Sequence, residues 1–262
     1  MVVEDSLATA LIMASKTDVG RMRQRNEDAC RFNVSQGWAV LADGMGGYQG
    51  GDVASTMAVE SVERSLSQGA SESVADVLSG LRAATVQANE RVFTVAHSDR
   101  ELFGMGSTLV TVRFFENMLA VSHVGDSRLY RYRPDHLVQL TRDHSLLQEQ
   151  VDGGMMSADA ARHAPGRSLL TRALGVEPSV VPDVALHEMQ VGDIYLMCSD
   201  GLTDMLYDDD IALVCETLSA NLKLAADHLV QLANDRGGRD NITVVLIKVR
   251  KPFVAEAAMP AD

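Results

Sequence analysis

The sequence lacks the features of a secreted, zinc-binding or membrane-spanning protein. Its three cysteines, Cys30, Cys198 and Cys215, are an odd number and widely spaced, so they predict neither a disulfide framework nor a zinc motif. No apolar run approaches the roughly 18 residues of a membrane span. The start, Met1 to Leu11, lacks the basic region of a signal peptide. We therefore expect a cytoplasmic protein whose thiols are reduced.

Positive charge is also scarce. The chain has 23 Lys and Arg against 36 Asp and Glu, a formal net charge of -13. This excess of carboxylates argues against nucleic acid or an anionic membrane as the main partner, because both would repel an acidic surface. With 262 residues, 46% of them hydrophobic, the chain is long enough to bury a substantial core in one compact domain.

The apolar pattern predicts many short strands with two groups of helices. Period-two runs and turn residues predict strands at 8–16, 28–43 (interrupted by a turn at 35–37), 107–115, 118–124, 127–133, 136–140, 180–188, 193–199 and 241–249. Spacings of three and four residues predict helices around 54–66, 74–95, 209–218 and 221–235. Because the strands follow one another with short connections, we expect an α+β fold, a β-sandwich of two antiparallel sheets flanked by helices.

We expect one domain over residues 8–250. Its pattern is interrupted at about 145–167 by glycines, paired methionines, an Ala-rich helical stretch and a Pro-Gly pair, which indicates a surface flap. Residues 251–262 have the composition of a frayed C-terminal tail.

Four aspartates stand beside glycine or asparagine where apolar runs begin or end. They are Asp43, Asp126, Asp200 and Asp240. A strand that ends in Asp-Gly holds a carboxylate at the rim of a sheet, and the glycine allows backbone and ligand to come close. Oxygen ligands without Cys or paired His suit hard divalent ions such as magnesium and manganese. The sequence therefore predicts a metal cluster assembled by the fold.

The order of the motifs resembles that of a known family. The series runs Asp-Val-Gly, Arg23, Asn-Glu-Asp, Asp-Gly-Met-Gly-Gly, Gly-Ser-Thr, Gly-Asp-Ser-Arg, Thr-Arg-Asp-His-Ser, Thr-Arg-Ala-Leu-Gly, Ser-Asp-Gly-Leu and Asp-Asn-Ile-Thr. It is similar to the metal-dependent serine/threonine phosphatases of the PP2C (PPM) family in their compact bacterial form, from about residue 14 to 249. The resemblance implies a four-layer αββα sandwich and hydrolysis of phosphoserine and phosphothreonine on proteins.

The resemblance also implies roles for particular residues. Asp43 matches the aspartate that bridges two Mn²⁺ or Mg²⁺ ions, and the Gly44 carbonyl is a further ligand. Asp200 and Asp240 match the remaining carboxylates on the first metal. The other matched residues are the acidic pair Glu27 and Asp28 for the waters of the second metal, Asp126 for a third and weaker metal, and Arg23 for the substrate phosphate.

In this scheme a metal-bridging hydroxide attacks phosphorus in line, and no nucleophilic side chain is needed. None is evident, because the chain has no Cys-x5-Arg signature. Many eukaryotic members carry a histidine, proposed as the acid, where this chain has Met45, so the proton donor stays open between a metal-bound water and His144. The structural alternatives are a solvated basic run for Arg23, a hairpin turn for Asp126 and a loop-stabilising hydrogen bond for His144.

The leading hypothesis is a protein phosphatase that opposes a bacterial Ser/Thr kinase and acts on that kinase and its substrates. A phosphatase of a partner-switching regulator ranks below it, because no sensor domain precedes residue 14. A non-catalytic binding or sensor module with a phosphatase fold is the alternative from another functional class. Asp43, Asp200 and Asp240 are all present, which disfavours the loss of catalysis.

Overall fold

Two antiparallel sheets pack face to face at the centre of the protein. The computed structural model describes residues 7–68, 73–166 and 169–253. One sheet has the strand order β1-β11-β10-β7-β8, and these strands are β1 (Leu11–Asp18), β7 (Arg128–Arg133), β8 (His136–Gln139), β10 (Ile194–Cys198) and β11 (Ile242–Val249). The other has the order β2-β3-β5-β6-β9, with β4 paired to β3. Its strands are β2 (Asp28–Asn33), β3 (Trp38–Met45), β4 (Gly106–Ser107), β5 (Leu109–Phe115), β6 (Met118–Val124) and β9 (Asp183–Glu188).

Each sheet is covered by helices on its outer face. Two long helices, α1 (Gly47–Gln68) and α2 (Val74–Ser98), cover the second sheet. Three others, α5 (Asp200–Thr203), α6 (Asp208–Thr217) and α7 (Leu222–Asp235), cover the first. The layers are therefore helices, sheet, sheet, helices, and the predicted fold class is confirmed.

Strand β11 shows why the layers form. Val245 and Ile247 belong to the core between the sheets, whereas Val244 and Leu246 belong to the core beneath the helices. A strand that is buried on both faces needs apolar residues at every position, so its sequence is a continuous apolar run. The helices begin at local signals, since the Ser73 side chain accepts a hydrogen bond from the Asp76 amide at the start of α2.

The segment from 145 to 166 forms two short helices, α3 (Leu146–Asp152) and α4 (Ala158–His163). We call these residues the flap. The predicted flap ended at 167, and that residue lies outside the described ranges, as do residues 254–262 of the predicted tail. The single domain over 8–250 stays a prediction.

The strand predicted at 8–16 needs a correction. Residues 7–10 are helical, and β1 begins only at Leu11, where pairing with Val249 of β11 starts. The apolar residues at the start of the run form a helical turn that buries Leu7 and Ala10. Across the three described ranges, no helix combines the length and apolar character that crossing a bilayer requires.

Candidate active site

The predicted site residues meet at one end of the sandwich. A cavity of about 430 Å³ is lined by seven of the eight, which are Arg23, Glu27, Asp43, Gly44, Asp126, Asp200 and Asp240. A wider groove of about 750 Å³ shares Arg23 and three of the aspartates with this cavity and extends beneath the flap. The structure thus brings together residues that are more than 200 positions apart in the sequence.

The second sheet supplies two carboxylates. Asp28 at the start of β2 is directly opposite Asp43 near the end of β3 in the antiparallel register. Asp28 is the one predicted site residue that lines neither cavity. Its Oδ2 accepts a hydrogen bond of 2.8 Å from the Ser199 hydroxyl, which links it to the other sheet. It lies behind the carboxylates of the cavity wall.

The first sheet supplies two further carboxylates. Asp200 follows β10, and Asp240 precedes β11, the neighbouring strand. The two loops approach closely at Gly201, because a Cβ atom there would lie 2.0 Å from the carbonyl oxygen of Asn241. A larger residue at 201 would force the loops apart, which explains the glycine after Asp200.

Asn241 fastens the loop that carries Arg23 and Glu27. Its Oδ1 accepts from the Glu27 amide at 2.8 Å, and its Nδ2 donates to the carbonyl oxygens of Val19 (2.9 Å) and Arg25 (2.8 Å). Each of the three hydrogen bonds joins residues that are more than 200 positions apart in the sequence. One amide side chain therefore sets the position of the basic loop relative to Asp240.

Thr108 connects Asp43 to the turn that carries Asp126. Its hydroxyl accepts from the Asp43 amide at 2.9 Å and lies 2.7 Å from the Ser127 hydroxyl. Its own amide donates to the Asp43 carbonyl at 2.8 Å. The Gly-Ser-Thr motif therefore holds two of the site aspartates in a fixed relation.

Burial raises the pKa values of five of the site carboxylates, and neighbouring carboxylates add to the effect. Burial and then neighbouring carboxylates raise the pKa of Asp43 and of Asp200 well above the usual range. Burial raises the pKa of Asp28 to about 6 and that of Asp126 to about 7, and it also raises the pKa of Glu27. So many carboxylates in one partly buried place need positive charge to ionise together.

The donor set fits hard divalent cations. Oδ1 of Asp28 and Oδ1 of Asp200 are buried without a hydrogen-bond partner, so each has an oxygen lone pair directed at no protein group. The cavity wall offers carboxylate and carbonyl oxygens and neither Cys nor His. Such all-oxygen sets suit Mg²⁺ and Mn²⁺ rather than zinc.

Arg23 lies at the entrance with half of its side chain (51%) exposed. It lines both the cavity and the groove, and its Nη2 donates to Oδ2 of Asp240 at 2.7 Å. A solvated basic run does not describe this residue, because its guanidinium is held against a site carboxylate.

His144, unlike Arg23, lies outside both the cavity and the groove. Its ring is buried (1% exposed) and contacts Gly125 and Asp183. Of the two proton donors left open by the sequence, this placement disfavours the imidazole.

The structure adds residues that the sequence analysis did not single out. Asp204 lines the groove one helical turn after Asp200, and its charge helps to raise the Asp200 pKa. The i, i+4 spacing was the available signal, but α5 was not predicted. Arg162 of the flap donates to the carbonyl oxygens of Thr203 (3.0 Å) and Leu206 (2.7 Å), which no local pattern reveals.

The family model for protein phosphatase 2C matches residues 20–234. The chain belongs to the protein phosphatase 2C family. The serine/threonine phosphatase stp of Listeria welshimeri is 38% identical over 241 residues, which cover 89% of this chain and 94% of that protein.

Solved structures of other protein phosphatase 2C members have the same fold. The serine/threonine phosphatase PstP/Ppp of Mycobacterium tuberculosis has a TM-score of 0.85 and 35% identity, covering 92% of this chain and all (100%) of that one. The catalytic domain of the serine threonine protein phosphatase PstP, in complex with two manganese ions, has a TM-score of 0.83 and 33% identity, covering 92% and 99%. The predicted family, and with it the class of protein-serine/threonine phosphatase, is confirmed.

Proposed function

We propose that the protein is a metal-dependent phosphatase that hydrolyses phosphoserine and phosphothreonine on other proteins. One observation carries the proposal: carboxylates from both sheets and one arginine converge on a single cavity, and two buried carboxylate oxygens have no hydrogen-bond partner, Oδ1 of Asp200 in the cavity wall and Oδ1 of Asp28 behind it. Family membership and the manganese complex of the related PstP domain support the same chemistry.

In this proposal Asp43, Asp200 and Asp240, with the Gly44 carbonyl, would hold two Mn²⁺ or Mg²⁺ ions, and Glu27 and Asp28 would bind the water around the second. When bound, such ions supply an activated water as the nucleophile and neutralise charge on the phosphoryl oxygens. Asp126 and Asp200 hold a third, weaker ion. The protein's own contribution is to keep these oxygens fixed before substrate arrives.

Arg23 binds the substrate phosphate. Its planar guanidinium can donate two parallel hydrogen bonds to phosphoryl oxygens, and the side chain lines the groove with half of its surface exposed. The flap forms one wall of that groove, so it contacts the protein segment around the phosphorylated residue. Met45 lines the cavity but has no proton to transfer.

The partners proposed are phosphoproteins, among them a Ser/Thr kinase and its substrates. The stp and PstP relatives, named as serine/threonine phosphatases, support this class of substrate. We also propose a cytoplasmic location, because Cys30, Cys198 and Cys215 are free thiols, as is usual in a reducing compartment.

Hydrolysis of p-nitrophenyl phosphate and of phosphoserine and phosphothreonine peptides, with Mn²⁺, with Mg²⁺ and with chelator, tests the proposal. We expect turnover with metal, none with chelator, and recovery on adding Mn²⁺. Full activity of the metal-stripped protein would refute metal dependence. Absence of activity at every metal concentration would leave a binding module as the better reading.

A further inference from the structure

His123, His144 and Asp183 form a cluster outside the cavity, with their ligand atoms within 4.8 Å of one another. The two imidazole rings stack with centroids 4.7 Å apart. Three such residues could form a metal site, but the hydrogen bonds of His144 argue against one. The Gly125 amide can only donate, and it donates to Nδ1 of His144 at 3.1 Å. Nδ1 is therefore unprotonated, and Nε2 of the neutral ring bears the hydrogen instead of a lone pair for a metal.

The same hydrogen bonds show what His144 does. Its backbone amide donates to the Gly125 carbonyl at 3.0 Å, so this one residue holds both polar groups of the Gly125 backbone. Its carbonyl accepts from the Thr171 amide at 2.9 Å. Three of the motifs singled out in the sequence, around Gly125, His144 and Thr171, therefore meet at this residue.

Gly125 immediately precedes Asp126 and has a φ of +100°, which favours glycine. A Cβ atom at 125 would lie 2.7 Å from the Thr108 side chain, so the turn also has little room to move toward β5. Thr108 restrains one side of the turn, and His144 restrains the other. Asp126 follows directly on this restrained turn.

We propose that His144 is a positioning residue that fixes the Asp126 carboxylate through Gly125. The proposal rests on the proposed role of Asp126 as a ligand of the weaker metal. Nε2 of His144 lies 3.3 Å from Oδ2 of Asp183, whose Oδ1 accepts from Arg172 at 2.7 Å. The contact between Nε2 and Asp183 does not have the geometry of a hydrogen bond, but the negative charge of Asp183 favours the ring orientation in which Nε2–H faces Asp183 and Nδ1 faces Gly125.

The ring remains an acceptor at neutral pH. Burial, and then the neighbouring His123 and Arg172, lower the pKa of His144 to about 4. A protonated ring would present a hydrogen to the Gly125 N–H, and the contact would become repulsive. His123 is held independently, because its Nε2 lies 2.9 Å from the Arg142 carbonyl.

Two substitutions separate positioning from bulk packing. In His144→Asn the side-chain oxygen can take the place of Nδ1, and in His144→Gln the side-chain amide can reach only the place of Nε2. Two quantities are compared with those of the wild type. One is the Mn²⁺ concentration that gives half-maximal p-nitrophenyl phosphate hydrolysis, and the other is the rate of amide hydrogen exchange at Gly125 in the chelated protein. His144→Gln should raise both by roughly three- to tenfold, the worth of one neutral hydrogen bond. His144→Asn should keep both the Mn²⁺ requirement and the Gly125 exchange rate close to the wild-type values.

Each variant is also made in an Asp126→Asn background. If His144 acts through Asp126, His144→Gln should then leave the Mn²⁺ requirement unchanged while still accelerating Gly125 exchange. Equal effects of the Asn and Gln variants, or a full effect of His144→Gln without the Asp126 charge, would overturn the proposal.

Should His144→Gln fail to fold, Asp183→Ala serves instead, because Asp183 is 45% exposed and its loss removes the carboxylate beside Nε2 together with the ion pair to Arg172. It should shift the Mn²⁺ requirement in the same direction, and only when Asp126 is intact; no shift would count against the proposal. These outcomes are separate from the phosphatase assignment, since they compare variants of an enzyme whose wild-type turnover with Mn²⁺ is measured first.

Discussion

Nη2 of Arg23 lies 2.7 Å from Oδ2 of Asp240, which joins the arginine proposed to bind phosphate to a carboxylate proposed to bind metal. The contact places a positive charge beside the carboxylate cluster. It also means that a phosphate and Asp240 compete for the same guanidinium. The two proposed roles are therefore linked, and substitutions at position 23 can separate them.

Arg23→Ala should raise KM for phosphorylated substrates, with or without a fall in kcat. A charge-assisted contact is worth on the order of 1.5–3 kcal/mol, so kcat/KM should fall roughly ten- to 150-fold. Mn²⁺ affinity, measured by calorimetry, should not weaken, because the arginine supplies no ligand atom and its loss frees Asp240. Arg21→Ala is the matched control from the same loop. A wild-type KM at saturating Mn²⁺ would remove Arg23 from the phosphate site.

Asp43→Ala and Asp200→Ala should each abolish turnover while preserving the fold. Each removes a carboxylate whose pKa is raised by burial and by like charges, so the chelated variants should be at least as stable as wild type at neutral pH. Thermal unfolding in chelator and steady-state kinetics with Mn²⁺ measure the two effects. Asp227→Ala, which removes a half-exposed carboxylate of α7 that pairs with Lys223, is the control. Near-wild-type kcat in either site variant would contradict the cluster assignment.

The chelated protein should also show a pH-dependent effect of Asp126. Its pKa is raised by burial to about 7, from about 4 in an unfolded chain, so the folded state binds the extra proton between these values. The stability supplied by this group is present below about pH 4 and is lost as pH rises toward 7.

Asp126→Asn should therefore unfold at a higher temperature than wild type at pH 7 and show less advantage at pH 4. A gain on the order of 1 kcal/mol corresponds to a few degrees in Tm. Thermal scans in chelator across this range measure the difference. An advantage that does not change with pH would indicate that the Asp126 carboxylate is ionised at the same pH in both states.

Arg162→Ala should release the flap from the core. The guanidinium donates to two carbonyl oxygens and lies 4.2 Å from the centre of the Tyr207 ring. Since the flap forms a wall of the groove and not of the cavity, kcat/KM for a phosphoprotein should fall roughly three- to tenfold, the worth of one or two such contacts. Turnover of p-nitrophenyl phosphate should change less than about twofold.

Arg31→Ala, which breaks an exposed ion pair with Glu63 on another face, is the control for this substitution. Equal losses on the protein substrate and the small substrate would show that the flap influences the chemistry itself rather than access to it.

Much of this arrangement could be predicted because its causes are local. Alternating or continuous apolar runs define β3, β10 and β11, and an Asp beside a strand end or start places Asp43, Asp200 and Asp240 at sheet rims. The contributions of Asn241, Thr108 and Arg162 could not be predicted in the same way. Their partners are brought close only by the packing of the two sheets and the flap, and no sequence period records those distances.

The carboxylates of the cavity come from both sheets, with Asp43 on one and Asp200 and Asp240 on the other. A divalent ion held by all three would cross-link the two halves of the sandwich. No partly folded chain with one sheet formed could assemble that set of ligands. Recovery of turnover after refolding would then report the docking of the sheets, and metal would favour the docked state by mass action.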